Sequence, residues 1–403
     1  MVKEIEMQRR KFLAASALAA TASLSRTSQG QAAAAKPTRV AVIGHTGRGN
    51  YGHGLDTVWL DLPETEIVAV ADADPAGLAA AQKRLKTTNG HADYRAMLQS
   101  ARPDVTAVCP RHVDEHCDMI LAAVEAGSRG IYVEKPLCRT PEDADRIIAA
   151  CDKAGAKLAV AHRNRYQPVL AAVDKLLAEG AIGKVLEIRG RGKGDKRGGG
   201  EDLWVLGSHV LNLITYFGGP PTRVTAVLKQ DGKLVTRADV KEGNEGVGPL
   251  AANEIHARLE LPKVPVAYFD SLANDETKSN AFGLQIFGSD GVIDIKCDRN
   301  PFAHLIEGNP FQPTAMGHKW TPISTAGVGK PEPAPERIAQ VMNHVVPARD
   351  LLAAIAEDRQ PLCSARDAAQ TLEVIMGMFA SHVAGGAAVP FPLADRGNPL
   401  AKF

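Results

Sequence analysis

The densest run of chemically suggestive residues begins where the chain's first apolar strand stops. Thr38-Arg39-Val40-Ala41-Val42-Ile43 is rich in β-branched residues and predicts a buried strand. Gly44-His45-Thr46-Gly47-Arg48-Gly49 follows it. Glycines at such a turn let backbone N–H groups come close to a pyrophosphate at the N-terminus of the next helix. Thr46 stands where a G-x-G-x-x-G pattern has its second glycine, so Gly47 is expected to supply the permissive conformation. A second apolar run, Glu66 to Ala71, ends at Asp72. An acid about twenty residues past the glycines can accept hydrogen bonds from ribose hydroxyls. Ala73 and Asp74 come next, with no Arg. A 2′-phosphate would meet two carboxylates there, so NAD is preferred to NADP. Gly44, Thr46, Gly47, Arg48, Gly49 and Asp72 are the expected dinucleotide contacts of this half.

These residues need a scaffold, and the following sequence describes one. Asp104–Val108, Gly130–Val133 and Lys157–Ala161 read as strands. Val113–Ala126, closed by Gly127, and Glu142–Ala154, closed by Gly155, read as helices. Strands alternating with helices predict a doubly wound parallel sheet, whose ligands sit beyond the carboxyl ends of the strands. The segments after those ends should therefore share one crevice with the glycine turn: Pro110, Arg111 and His112, then Glu134 and Lys135, then His162 to Arg165.

From about residue 162 the pattern changes. Pro168–Glu179 predicts a helix, and strand-like runs recur at 184–190, 223–229, 254–261, 264–271, 283–287 and 292–297. Consecutive β runs imply an α+β domain with a large, mostly antiparallel open sheet. Residues 299–335, rich in Pro and Gly, predict an irregular excursion, with His318, Lys319 and Trp320 as groups that could reach the cleft. Two terminal helices are expected, Ile338–Glu357, interrupted at Pro347, and Ser364–Ala384. The division is thus 36–161 for the dinucleotide domain and 162–403 for a substrate and oligomerisation domain.

Sugar recognition asks for paired polar groups and an aromatic platform. Arg163, Asn164, Arg165 and Tyr166 offer these, and so do Asp202 and Trp204 behind a glycine-rich polar loop. His112 and His116 have the i, i+4 spacing of metal ligands, but they open a helix of the dinucleotide domain, and no metal is expected. Six cysteines without a C-x-x-C read as small buried apolar residues.

The strand-turn at Gly44, Asp72, Arg102-Pro103-Asp104, Glu134-Lys135-Pro136, Gly180-Ala181-Ile182-Gly183-Lys184 and Gly207-Ser208-His209 together resemble the Gfo/Idh/MocA family. This is the family of glucose–fructose oxidoreductase and inositol dehydrogenase. The resemblance implies NAD(P)-linked hydride transfer at a sugar or polyol carbon, in a homodimer or homotetramer. It makes Lys135 and His209 the catalytic pair, sets Ser208 and His209 at the substrate, and implies a cis bond before Pro136. The family often has Asp residues four before and three after the histidine, where this chain has Val205 and Asn212. A histidine suits the proton acceptor of an alcohol oxidation, and a lysine suits the stabiliser of the developing alkoxide.

Composition agrees with a globular enzyme. The 403 residues are 45% apolar and 23% charged, with 47 basic and 46 acidic side chains, so neither disorder nor a nucleic-acid-binding field is implied. Residues 1–35 read as an export address: Arg9-Arg10 precede an apolar Ala-rich run, then Ala32 to Ala35. A twin-arginine route would place the folded protein in the periplasm, away from a free nicotinamide pool, so NAD should be held tightly. The functional expectation is an exported sugar oxidoreductase. Alternatives are a redox-neutral NAD-dependent glycosidase or lyase, and a non-catalytic sugar- or cofactor-binding protein.

Overall fold

The computed structural model describes residues 36–277, 282–312 and 319–403. The export signal and His318 lie outside the described residues. Six strands, β1 (Thr38–Ile43), β2 (Thr65–Ala71), β3 (Gly90–His91), β4 (Val105–Val108), β5 (Gly130–Val133) and β6 (Lys157–Val160), form one sheet in the order β3-β2-β1-β4-β5-β6. Every pairing in it is parallel. The order reverses between β1 and β4, which opens a crevice at their carboxyl ends. The strands are buried on both faces, which is why they read as continuous apolar runs. Helices Pro75–Leu85, Tyr94–Ala101, His116–Glu125 and Pro141–Ala154 connect them. Asp74 caps the first of these by accepting from Gly77 N at 2.6 Å, and Thr140 caps the last.

The segment after β1 departs from expectation. No α-helix follows the glycine turn; the chain runs in turns and then a short 3-10 helix, Val58–Asp61. Gly47, Gly49, Asn50, Gly52 and Gly54 all have φ between +55° and +95°. Five left-handed residues in one stretch cannot continue a right-handed helix. No helix dipole therefore points at the turn, and close approach takes its place. A Cβ on Gly49 would stand 2.3 Å from Arg111 N, and one on Gly52 would stand 2.6 Å from Cys109 O.

Among the described residues the second sheet has eleven strands. At its centre Val185–Arg191 runs parallel to Ala267–Leu272 and antiparallel to Gly283–Gly288. All its other pairings are antiparallel. Glu254–Glu260 alternates buried and open residues, and helices Gly207–Gly218 and Ala365–Val383 pack on the sheet. The stretch expected to be irregular contributes three strands, Ala303–Glu307, Thr321–Ser324 and Gly327–Val328. They are short, and Pro and Gly at their borders mask them in sequence.

The penultimate helical region also breaks elsewhere than expected. Helices Pro335–Met342 and Val345–Ala356 meet at His344, whose φ is +68°. Pro347 lies in the first turn of the second helix, where its missing N–H costs no hydrogen bond. That helix packs on β5 and β6, so the chain's end returns to cover the first sheet. Ser364 then bridges to Ala159 and caps the long helix Ala365–Val383 with Asp367 in a capping box. All six cysteines are buried and free.

Candidate active site

Beyond the carboxyl end of β5 lies a cavity of about 180 Å3, and both Lys135 and His209 border it. Lys135 is delivered by β5 and precedes a cis peptide to Pro136. His209 comes from the first turn of helix Gly207–Gly218. The Lys135 ammonium donates to the main-chain carbonyl of Val205 at 2.8 Å. That carbonyl holds the lysine where a side-chain carboxylate is absent. Burial lowers the Lys135 pKa, against the pull of Glu134. Burial likewise pushes the His209 imidazole well below its ordinary range, opposed by the charge of Asp298. His209 is 5% exposed, and its Nδ1 has no hydrogen-bond partner among the described residues. The edge of the His162 ring packs on it with centroids 5.2 Å apart, and burial drives His162 down as well. Both imidazoles are therefore neutral.

Asp298 is the residue that sequence reasoning missed. It sits just after strand Gly291–Lys296 with φ +56°. Its carboxylate accepts from Arg163 Nε at 3.0 Å and Arg163 Nη2 at 2.9 Å, a bidentate pair, and from Asn164 Nδ2 at 3.1 Å. Burial raises the Asp298 pKa, but the Arg163 hydrogen bonds and the neighbouring charges outweigh it and hold it low. Asp298 and Arg163 border the same cavity as His209. Glu134 is buried under it and takes a hydrogen bond from His53 at 2.9 Å. Burial raises the Glu134 pKa, but His53 and Lys135 bring it to about 2. Arg111, Arg197, Glu245 and His344 complete the polar lining, with an Arg111–Glu245 ion pair at 3.2 Å.

Gly44 and Asp72 border a second cavity, of about 370 Å3. Its lining holds five carboxylates, from Asp72, Asp93, Asp114, Glu115 and Asp118, against the guanidinium of Arg95. That balance suits an unphosphorylated ribose. Asp72 itself is buried, and its oxygens already accept from Thr46 N, from Thr46 Oγ1 at 2.7 Å and from Asp74 N at 3.0 Å. Burial raises its pKa, and the hydrogen bonds from Thr46 and Asp74 together more than offset that. Thr46 is thus the donor that fixes the acid, which explains a hydroxyl at the second glycine position. Arg48 donates to Asp114 at 2.7 Å and to Glu115 at 3.0 Å, and His45 pairs with Glu115 at 2.8 Å. These contacts clasp the glycine turn to the segment after β4. His116 Nε2 lies 2.7 Å from Pro110 O, and its Nδ1 lies 2.9 Å from Pro136 O. His116 is thereby committed to tying those two loops. His112 opens a 3-10 turn, and among the described residues no group of three metal-ligating side chains occurs.

Several residues expected at the sugar lie elsewhere. Arg165 donates to Leu362 O at 2.7 Å and to Asp367 at 2.6 Å, and the Tyr166 hydroxyl accepts from Cys363 N at 3.2 Å. Both serve the return of the chain's end onto β6. Asn164 supports Asp298. Trp204 is in the apolar core, and Ser208 Oγ donates back to Trp204 O at 3.1 Å. Asn212 faces the long C-terminal helix, donating to Thr371 Oγ1 at 3.0 Å.

Asp202 is fully buried behind its helix. Ser271 Oγ donates to its Oδ2 at 2.8 Å, and Oδ1 has no partner among the described residues. Burial raises its pKa to about 7, although Ser271 opposes this. The folded protein then keeps a proton that the unfolded chain loses at lower pH. Stability falls as pH rises from about 4 to about 7, by up to about 4 kcal/mol. Asp202→Asn is expected to remove this slope and to stabilise the protein on the alkaline side. Urea denaturation at about pH 5 and about pH 8 checks it; equal slopes in both proteins would refute it.

Residues 38–162 match the family model GFO_IDH_MocA, described as an oxidoreductase family with an NAD-binding Rossmann fold. Levoglucosan dehydrogenase of Pseudarthrobacter phenanthrenivorans is 26% identical over 330 residues, 72% of this chain and 80% of that protein. D-apiose dehydrogenase of Paraburkholderia graminis is 31% identical over 192 residues, 45% of this chain and 51% of that protein. A solved structure of levoglucosan dehydrogenase in complex with NADH and levoglucosan superposes with a TM-score of 0.71, covering 89% of this chain and all of that one at 22% identity. The two-sheet fold is therefore shared.

Proposed function

We propose, from the membership of residues 38–162 in the NAD-binding domain of the Gfo/Idh/MocA oxidoreductases, that this protein oxidises a hydroxyl of a carbohydrate with NAD. One observation carries the reading. Lys135 and His209, 74 positions apart in the numbering, border a single cavity at the strand ends of a dinucleotide-binding sheet. Bound NAD supplies the hydride acceptor. The neutral imidazole of His209 takes the proton of the reacting hydroxyl. The Lys135 ammonium, anchored on Val205 O, donates to the same oxygen and stabilises negative charge as it develops. The Asp298 carboxylate favours the imidazolium that forms. Relatives named for sugar substrates support the substrate class.

The test is nicotinamide reduction by the purified protein across aldoses, anhydro-sugars and inositols. One or more sugars should give NADH. Failure of every sugar together with failure to bind NAD would overturn the proposal. Tight retention of NAD and export through Arg9-Arg10 belong to the same reading. The Arg48 and Arg111 ion pairs support retention, because they bridge loops on either side of the dinucleotide crevice. Native mass spectrometry of the exported protein reports both the cofactor and the subunit number.

A further inference from the structure

The oxidation described above makes no use of His344, an imidazole of the cavity wall. His344 stands at the break between helices Pro335–Met342 and Val345–Ala356, in a left-handed conformation, and is 2% exposed. Its Nδ1 lies 2.6 Å from the hydroxyl of Tyr132, a fully buried residue of β5. Its Nε2 is buried with no hydrogen-bond partner among the described residues, and the ring borders the cavity. A buried polar nitrogen without a partner is costly unless a ligand supplies one.

The Tyr132 contact favours one of the two tautomers of His344. Among the described residues the Tyr132 hydroxyl has no other hydrogen bond. If His344 donated to it, the phenolic O–H would be a second orphan inside the core. If Tyr132 donates instead, its hydroxyl and Nδ1 are both paired, the ring proton moves to Nε2, and Nε2 alone is left without a partner. Burial pushes the Tyr132 pKa well up, so the phenol keeps its proton. Burial lowers that of His344 to about 4; Glu134 opposes this, while Arg163 and His53 add to it. The ring is neutral, with a fixed, unpartnered N–H on a residue of the cavity wall.

We propose that His344 is a substrate-binding donor, and that Tyr132 is the positioning residue that fixes its tautomer. The Nε2–H grips a carbohydrate oxygen other than the one being oxidised. This rests on the sugar reading given above and sharpens it: the substrate must present a second oxygen near the reacting carbon. Simple secondary alcohols would leave the donor unpaired and should be poor substrates.

The experiment uses the panel sugar with the highest kcat/KM and its monodeoxy analogues. His344→Phe should raise KM by about tenfold or more, with a smaller change in kcat. For one deoxy analogue, already handled poorly by the wild type, the substitution should make no further difference. His344→Gln, which keeps an N–H donor, should lie closer to the wild type. Tyr132→Phe should raise KM in the same direction while leaving NAD affinity, read by nicotinamide fluorescence, unmoved. Histidine 15N–1H correlation spectra should show an Nε2-protonated ring that is lost in His344→Phe and altered in Tyr132→Phe. An equal loss on every deoxy analogue, or a ring protonated on Nδ1, would overturn the inference. If no sugar is oxidised by the wild type, it is the parent reading that fails, and the spectra still report the tautomer.

Discussion

Lys135→Met and His209→Asn are each expected to lower kcat for sugar oxidation by about 10²- to 10⁴-fold while NAD still binds. The lysine loss removes the one ammonium that borders the cavity among the described residues, and with it the stabilisation of alkoxide charge. The histidine loss removes the proton acceptor but keeps a polar side chain of modest size. Both groups act on one oxygen in one step, so the double variant should be little worse than the weaker single variant. The pH profile of kcat/KM gives a second reading. The acid limb should lie below the usual imidazole range, since burial depresses His209 and only the neutral ring accepts a proton. The alkaline limb should lie below the usual lysine range, since burial depresses Lys135 and only its charged form stabilises the alkoxide. Full turnover in Lys135→Met, or independent effects in the double variant, would remove these residues from the chemistry.

What the sequence makes legible follows from the range of its interactions. Five strands of the first sheet are short apolar runs that local pattern is enough to find, while the two-residue β3 carries no such pattern and is not found. Lys135 is visible because a strand delivers it, and β5 is recognisable without its neighbours. Asp298 is not visible, because nothing local marks a left-handed residue in a polar turn. Its partner Arg163 lies 135 positions away. Arg165 and Tyr166 read as sugar ligands for the mirror reason: their partners, Leu362 to Asp367, are brought over β6 by the far end of the chain. The glycine turn shows the limit of motif reasoning. The glycines indicate close backbone approach, and this is found, but they do not say that a helix follows. His344 is hidden inside what reads as one helix, because the break falls three residues before the proline that would announce it.

Asp298→Asn should be the most destabilising polar substitution in the site. The Arg163–Asp298 side chains are 24% and 19% exposed, so solvent shields the pair only in part. Taking one partner from a buried pair costs about 3–5 kcal/mol, chiefly because the other charge is left uncompensated. Residual exposure moves the expectation toward the lower end. Two consequences separate this from a general loss of packing. First, Arg163→Met with Asp298→Asn should be less destabilising than the sum of the single changes, since no orphan charge remains. Second, the folded carboxyl titrates below its unfolded value, so its contribution is present above about pH 4 and is lost as pH falls through the folded pKa. The gap between wild type and Asp298→Asn should therefore close on acidification. Turnover should fall as well, because the His209 imidazolium loses the opposing charge that favours it most, after burial has already disfavoured it. Additive stabilities in the double-mutant cycle, or a gap that persists at low pH, would mean that Asp298 is held by something other than Arg163. The His209–Asp298 coupling would then have to be sought in the loop backbone.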